Sequence, residues 1–174
     1  MADPDIDLLL GPGASGGVEA LEPHVAGLAA RGIVARTVPL PTSRAERAVG
    51  LYRSALDSTP GRPFVGGHSF GGRVASLLAA EEAVRGVVLL SYPLHAPGRV
   101  EAWDERTAHW PRIGCPVLLL SGEADPFARI GLLRDAVKRL ANAELVTYPG
   151  VGHGLLAVLD DALDRIAEFV RRVR

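Results

Sequence analysis

Six short apolar runs separated by helical patterns leave this chain few folds to choose from. The runs are Ile6–Leu10, Ile33–Val38, Pro63–Gly66, Gly86–Leu90, Pro116–Leu120 and Glu144–Tyr148. Several are apolar at nearly every position. A strand with one wet face alternates polar and apolar residues, whereas a parallel strand covered on both faces does not. Strands that alternate with helices rejoin their sheet by right-handed crossovers. The pattern therefore predicts an α/β fold, a doubly wound, mostly parallel six-stranded sheet with helices on both faces.

The helical segments carry their own start and stop signals. Pro23 suits a first turn, Val25, Leu28 and Ala29 give an apolar stripe, and Gly32 supplies the stop. Ser43 and Glu46 have the spacing of a capping box. A third pattern runs from Gly72 to Ala80 and a fourth from about Ala128 to Leu140. The last spans about Asp160 to Val173, with Leu163, Ile166, Val170 and Val173 on one face. Its acidic start (Asp160, Asp161) and basic end (Arg171, Arg172, Arg174) complement the helix dipole. One long stretch, Ser91 to Gly114, reads as irregular, and irregular loops of such length are usually functional.

Residues 1–174 contain no internal repeat, linker or low-complexity segment and read as a single domain, long enough to bury a core unaided. The 19 basic and 20 acidic residues are mixed along the chain, giving a net charge of −1 and no patch suited to nucleic acid. A single cysteine, Cys115, excludes an internal disulfide framework and a cysteine metal cluster. It reads as a buried thiol at the mouth of a strand. No apolar run approaches the ~20 residues of a membrane span, and the N-terminus has no signal-peptide pattern. The expectation is a soluble, cytoplasmic protein with no membrane partner.

Chemistry enters at Gly67-His68-Ser69-Phe70-Gly71, between an apolar run and a small-residue helical pattern. This is the G-x-S-x-G arrangement in a strand–turn–helix context. Such a turn strains the serine backbone and tolerates little but glycine close beside it. It lifts the hydroxyl above the sheet edge and aims the next helix's amides at the same point. Asp125 follows the fifth apolar run, and His153 follows the sixth, flanked by Gly152 and Gly154. A serine hydroxyl attacks poorly until a base accepts its proton, and histidine titrates in the right range. Each residue also has a blander role open to it. Glycine-flanked serines occur in turns without chemistry, Asp125 could cap the helix after Pro126, and His153 could be a solvated loop residue. Glu123 is the nearest substitute for Asp125. Their order, serine then aspartate then histidine, each after its own strand, favours a joint catalytic role.

With those residues quoted, the chain resembles the α/β-hydrolase superfamily over nearly its whole length. Three segments look most like small bacterial members related to dienelactone hydrolases and to a subunit of the human NSL histone-acetyltransferase complex. They are Tyr92-Pro93-Leu94-His95-x-Pro97-Gly98, Pro116-Val117-Leu118 and Ser121-Gly122-x-x-Asp125-Pro126-Phe127. The resemblance implies a minimal α/β-hydrolase fold that lacks the leading antiparallel strand pair. No insertion between Leu90 and Pro116 is long enough for a lid domain.

The resemblance also implies roles: Ser69 as nucleophile, His153 as general base and Asp125 as the group that orients it. The oxyanion hole would use the backbone N–H of Phe70 and a second donor from Gly11-Pro12-Gly13-Ala14. The family usually has His-Gly where this chain has Pro12-Gly13. Proline donates nothing, which leaves Gly13 or Ala14, with Ala14 preferred by alignment.

The implied activity is hydrolysis of small esters or thioesters through an acyl-enzyme, with no metal or organic cofactor. A non-catalytic scaffold or interaction role is the alternative, because the family includes a chromatin-complex subunit. Gly13, Tyr92, His95, Trp103 and Trp110 are the candidate pocket residues, although such aromatic side chains more often cover a core. His109 belongs with them, whereas His24 reads as an ordinary helix-face residue and His68 as a packing residue. Without a lid the site should be shallow and suit short acyl chains. The missing strands leave a sheet edge open to homodimerisation.

A dinucleotide-binding reading of Gly11-Pro12-Gly13-Ala14-Ser15-Gly16 fares worse. Pro23 interrupts the helix it requires, and no acidic residue ends the second strand. Only Arg36 keeps a link to a phosphorylated cofactor such as NADP.

Overall fold

Successive residues of the central strands point to opposite faces of one sheet, and both faces are dry. The computed structural model describes residues 7–41 and 44–174. Its strands are β1 (Leu8–Gly11), β2 (Ala35–Thr37), β3 (Phe64–His68), β4 (Val87–Leu90), β5 (Val117–Gly122) and β6 (Ala143–Tyr148). They form a single sheet in the order β2-β1-β3-β4-β5-β6. Every pairing is parallel.

Leu9, Val65, Val87, Leu89, Val117 and Leu119 face one core. That core is covered by α2 (Ala45–Asp57), α3 (Phe70–Ala79) and α5 (Ile130–Val137). Leu8, Leu10, Phe64, Val88, Leu90, Leu118 and Leu120 face the other, under α1 (Glu22–Ala29) and α6 (Leu159–Val173). This two-sided burial is why the strand sequences run apolar without alternation.

The path from β1 to β2 turns one way and the path onward to β3 the other, so the strand order reverses between β1 and β3. Crevices at the carboxyl ends of such strands are where open α/β sheets bind ligands. Tyr52 of α2 reaches into this junction. Its buried hydroxyl lies 2.7 Å from the carbonyls of both Leu9 and Gly66 and accepts the Gly66 N–H at 3.0 Å.

Several local expectations shift. Observed strands and helices differ from the sequence-based bounds by a few residues, and Ile6 and Ser43 fall outside the described residues. Helix α1 buries His24 and Leu28, whereas Ala29 is exposed. The expected stripe was rotated because nothing in the sequence shows which neighbour His24 meets. The stretch Ser91–Gly114 is not irregular throughout. It contains α4 (Trp103–Thr107) and two short 3₁₀ turns, folded back over the α3–α5 core. The turn at Gly11–Gly16 leads into a 3₁₀ turn, and α1 begins only at Glu22, with Pro23 in its first turn. No helix opens at Gly16, so the phosphate-cradling geometry of a dinucleotide fold is missing there. Among the described residues no helix is long and apolar enough to cross a membrane.

Candidate active site

Ser69 closes β3 and forms the N-cap of α3, with φ 49° and ψ −113°. This is a left-handed backbone that a non-glycine residue adopts only when its surroundings impose it. The surroundings do so through glycine. A Cβ at Gly71 would overlap the carbonyl of Gly11, and one at Gly67 would overlap the same carbonyl. Bare backbone lets α3 press against β1 and leaves the serine at the turn's apex.

The Ser69 Oγ lies 2.9 Å from Nε2 of His153. On the other side of that ring, Nδ1 lies 2.8 Å from Oδ2 of Asp125 and 3.0 Å from Oδ1. With Nδ1 donating to the carboxylate, Nε2 is left as the acceptor that faces the hydroxyl. The Asp125 side chain is 0% exposed, against 25% for that of His153. Asp125 Oδ1 also accepts the N–H of Phe127 at 2.8 Å, while α5 begins only at Ile130. The carboxylate therefore closes a local turn and holds the imidazole at the same time. Glu123 is committed elsewhere, its Oε1 accepting the Thr147 hydroxyl at 2.7 Å.

The loop carrying His153 is held against the end of β5. Ala124 N–H donates to the Val151 carbonyl at 2.9 Å, and a Cβ at Gly122 would overlap the carbonyls of Val151 and Gly152. His68 braces the loop from below. Its Nε2–H donates to the His153 carbonyl at 3.0 Å, and the two rings lie 5.2 Å apart. Phe127 packs on the imidazole, with ring centroids 4.5 Å apart. Burial lowers the pKa of His68, so its ring is held neutral.

The serine opens into a cleft of about 380 Å³, inside the usual range for small-molecule sites. One wall is Gly13, Ala14 and Ser15, and another is Phe127 and His153. Pro93, Ala96, Arg73 and Arg106 complete its lining. Phe70 starts α3 at the cleft, so its N–H belongs to the donors that a helix leaves free at its first turn. A larger hollow of about 720 Å³ lies at the opposite end of the strands, near Arg62, Arg85 and Cys115. Burial raises the Cys115 pKa, which keeps that thiol protonated and a poor nucleophile.

Of the residues expected in the pocket, only Gly13 lines the cleft. Tyr92 and Trp110 are core residues, packed edge to face at 5.0 Å, and the Tyr92 hydroxyl donates to the Arg106 carbonyl. His95 is buried, with Nε2 accepting the Arg129 N–H at 3.0 Å. Trp103 packs on the same core, with the Arg139 guanidinium 4.3 Å from its ring centroid. His109 is buried against Ser76, its Nε2 2.8 Å from the hydroxyl. These aromatic groups are drawn inward because their apolar surface covers α3 and α5. In their place the cleft has Phe127, His68, Arg73 and Arg106. Phe127 stands in the quoted Asp125 motif and His68 in the glycine turn, so both were within reach of the sequence. Nothing in the sequence marks the two arginines.

A family model described as an alpha/beta hydrolase domain matches residues 35–165, well over half of the chain. The chain belongs to the α/β-hydrolase family. Solved structures of similar fold include a monoacylglycerol lipase of Paleococcus ferrophilus, at TM-score 0.84 and 16% identity, over 96% of this chain and 94% of that one. Est1E from Butyrivibrio proteoclasticus matches at TM-score 0.77 and 16% identity, covering 98% of this chain and 89% of its own. The enol-lactonase of Burkholderia xenovorans matches at TM-score 0.78 and 16% identity, over 97% of this hydrolase-family chain and 92% of the lactonase. At such identities the likeness is one of fold.

Proposed function

We propose that this chain is a serine hydrolase that cleaves small esters or thioesters through an acyl-enzyme. The observation that carries the reading is the continuous hydrogen-bonded series from buried Asp125 through His153 to the Ser69 hydroxyl. In this mechanism Ser69 Oγ attacks the acyl carbonyl while His153 Nε2 takes its proton. Asp125 holds the ring in the productive tautomer and offsets the imidazolium charge. The new oxyanion is met by the Phe70 N–H, helped by the positive end of α3, with Ala14 as the second donor. Collapse expels the alcohol or thiol, which takes the proton from His153. Water then enters, gives its proton to the same nitrogen and attacks the acyl carbon; collapse of the second intermediate breaks the bond to Ser69 Oγ, which takes that proton back from His153 as the acid leaves.

Similar folds bear the names monoacylglycerol lipase and enol-lactonase, which supports carbonyl–oxygen bond cleavage as the reaction class. A scaffold role would need neither the strained serine nor the aligned base. The test is labelling with a fluorophosphonate probe and mapping of the modified residue. Ser69 is the expected target, and both labelling and hydrolysis of p-nitrophenyl butyrate are expected to vanish in Ser69→Ala. Undiminished turnover by the folded variant would overturn the reading.

A further inference from the structure

The cleft contains two guanidinium groups that the proposed reaction does not use. Arg73 lies one helical turn beyond Ser69, its N–H donating to the Ser69 carbonyl at 3.1 Å. Helical side chains lean toward the N-terminus, which carries this one back toward the serine and into the cleft wall. Arg106 comes from α4 on the opposite side of the sequence loop and lines the same cleft.

Neither charge is well neutralised. Arg73 has one carboxylate contact, Nη2 to Glu46 Oε1 at 3.1 Å, and the Glu46 side chain is 62% exposed to water. Its Nε is buried and has no partner. Among the described residues Arg106 makes one side-chain hydrogen bond, from Nη1 to the neutral Pro93 carbonyl at 2.8 Å, and no ion pair with a carboxylate. Burial first, and then the nearby charge of Arg73, lower the Arg106 pKa. Two like charges held near each other in a partly dry cleft are costly unless something anionic completes them. Glu105, next to Arg106 in sequence, opposes the lowering of its pKa without forming an ion pair among the described residues, and Asp125 is committed to His153.

We propose that Arg73 and Arg106 form an anion subsite, so that the substrate is an ester or thioester carrying a carboxylate a few bonds from the scissile carbonyl. This rests on the serine-hydrolase reading and adds the substrate class to it. Arg106 is pre-positioned. Its guanidinium is tied to Pro93 and its carbonyl accepts the Tyr92 hydroxyl, so the buried aromatic pair Tyr92–Trp110 sets where the charge stands. A guanidinium offers five donors in a fixed fork, and these two have most of theirs uncommitted to a carboxylate.

The test compares kcat/KM for esters matched in length and differing in charge. Mono-p-nitrophenyl adipate against p-nitrophenyl hexanoate places the carboxylate on the acyl side. Separately, 4-acetoxybenzoate against its methyl ester places it on the leaving group. A preference of roughly tenfold or more for the anionic member of one pair is expected, mostly in KM, and the pair that shows it identifies the side. The preference should fall as salt is raised. It should collapse toward unity in Arg106→Met and in Arg73→Met, with Arg→Lys variants retaining part of it. Circular dichroism checks each fold, and Arg73→Met serves if Arg106→Met does not fold. Equal rates within both pairs, or variants that lower both members alike, would overturn the subsite.

The two readings fail separately. Calorimetric binding of adipate to wild type, weakened in the arginine variants, supports the subsite even if no ester is turned over. Good turnover of neutral esters with no adipate binding leaves the hydrolase and removes the subsite.

Discussion

Ser69 and Ser91 occupy the same place on neighbouring strands. Each follows the last residue of its strand, and each has a φ of 49°. The Ser69 N–H donates to the Leu90 carbonyl and the Ser91 N–H to the Leu120 carbonyl, both at 2.8 Å. From there they part. After Ser69 come Phe70, Gly71 and Gly72, and the lack of side chains lets α3 start at once against β1. After Ser91 come Tyr92 and Pro93, and the chain turns inward to bury Tyr92 against Trp110. The Ser91 hydroxyl is sealed in with no hydrogen-bond partner among the described residues, whereas Ser69 meets the His153 imidazole at the head of a cleft. A strained serine at a strand end is thus no sign of chemistry by itself. The two settings differ in the glycines that admit a helix and in the loop that brings His153 to the hydroxyl.

The sharpest way to break this comparison is to delete the first hydroxyl. Ser69→Ala should lower kcat on p-nitrophenyl butyrate by roughly 10⁴-fold or more, with an unchanged melting profile. Retained turnover would mean that the aligned geometry has no catalytic role. Next in size is the carboxylate. Asp125→Asn should cost about 10³–10⁴ in kcat, because an amide can hold the wrong imidazole tautomer. Glu123→Gln should cost no more than a few-fold, since Glu123 is engaged with Thr147. The reverse ranking would transfer the orienting role to Glu123.

The glycine row is tested by Gly71→Ala. The new methyl group would overlap backbone atoms of Gly11, which have no rotamer to move aside. We expect a loss of about 3 kcal/mol or more, or failure to fold, read from urea unfolding. A near-neutral result would show that α3 can back away from β1, and that the close approach is not what fixes the serine.

What the sequence disclosed follows the same division. Strands buried on both faces announce themselves because every position is apolar, and Ser69, Asp125 and His153 announce themselves through glycine and strand context. Tyr92, Trp103 and Trp110 misled because an aromatic residue near a strand end serves a pocket wall or a core equally well. Only the fold-back of α4 onto α3 and α5 decides between them. Arg73 and Arg106 were invisible for another reason. Arginine is the commonest basic residue here, with Lys138 the sole lysine, so no local signal separates a cleft arginine from a solvated one.

Two buried histidines, His24 and His109, should make stability depend on pH. Burial lowers His24 to about 4. Burial, with Arg112 and Arg73 adding, lowers His109 to about 4. Unfolded, each would titrate near ~6.5. Between those values the unfolded chain binds the proton and the folded one does not, so stability falls as pH drops from about 6.5 toward 4. Each should contribute up to about 3 kcal/mol of that loss. Urea midpoints measured from pH 7.5 to 5 should decline for wild type and decline less for His24→Leu and His109→Gln. Equal slopes in all three proteins would show that these rings become protonated within the fold.

The smallest expected effect is at the second serine. Ser91→Ala removes a buried hydroxyl that has no partner, so the lost group had been desolvated without return. Alanine is no more strained than serine at a φ of 49°. Stability should therefore change by less than about 1 kcal/mol, with a slight gain if anything, and turnover should match wild type. Ser91→Gly would also relieve the backbone and should be the more stable of the two by a few tenths to about 1 kcal/mol, unless the added freedom of the unfolded chain cancels it. A large loss of turnover in Ser91→Ala would mean that this hydroxyl reaches the reaction after all, and the two strand ends would then be parts of a single site.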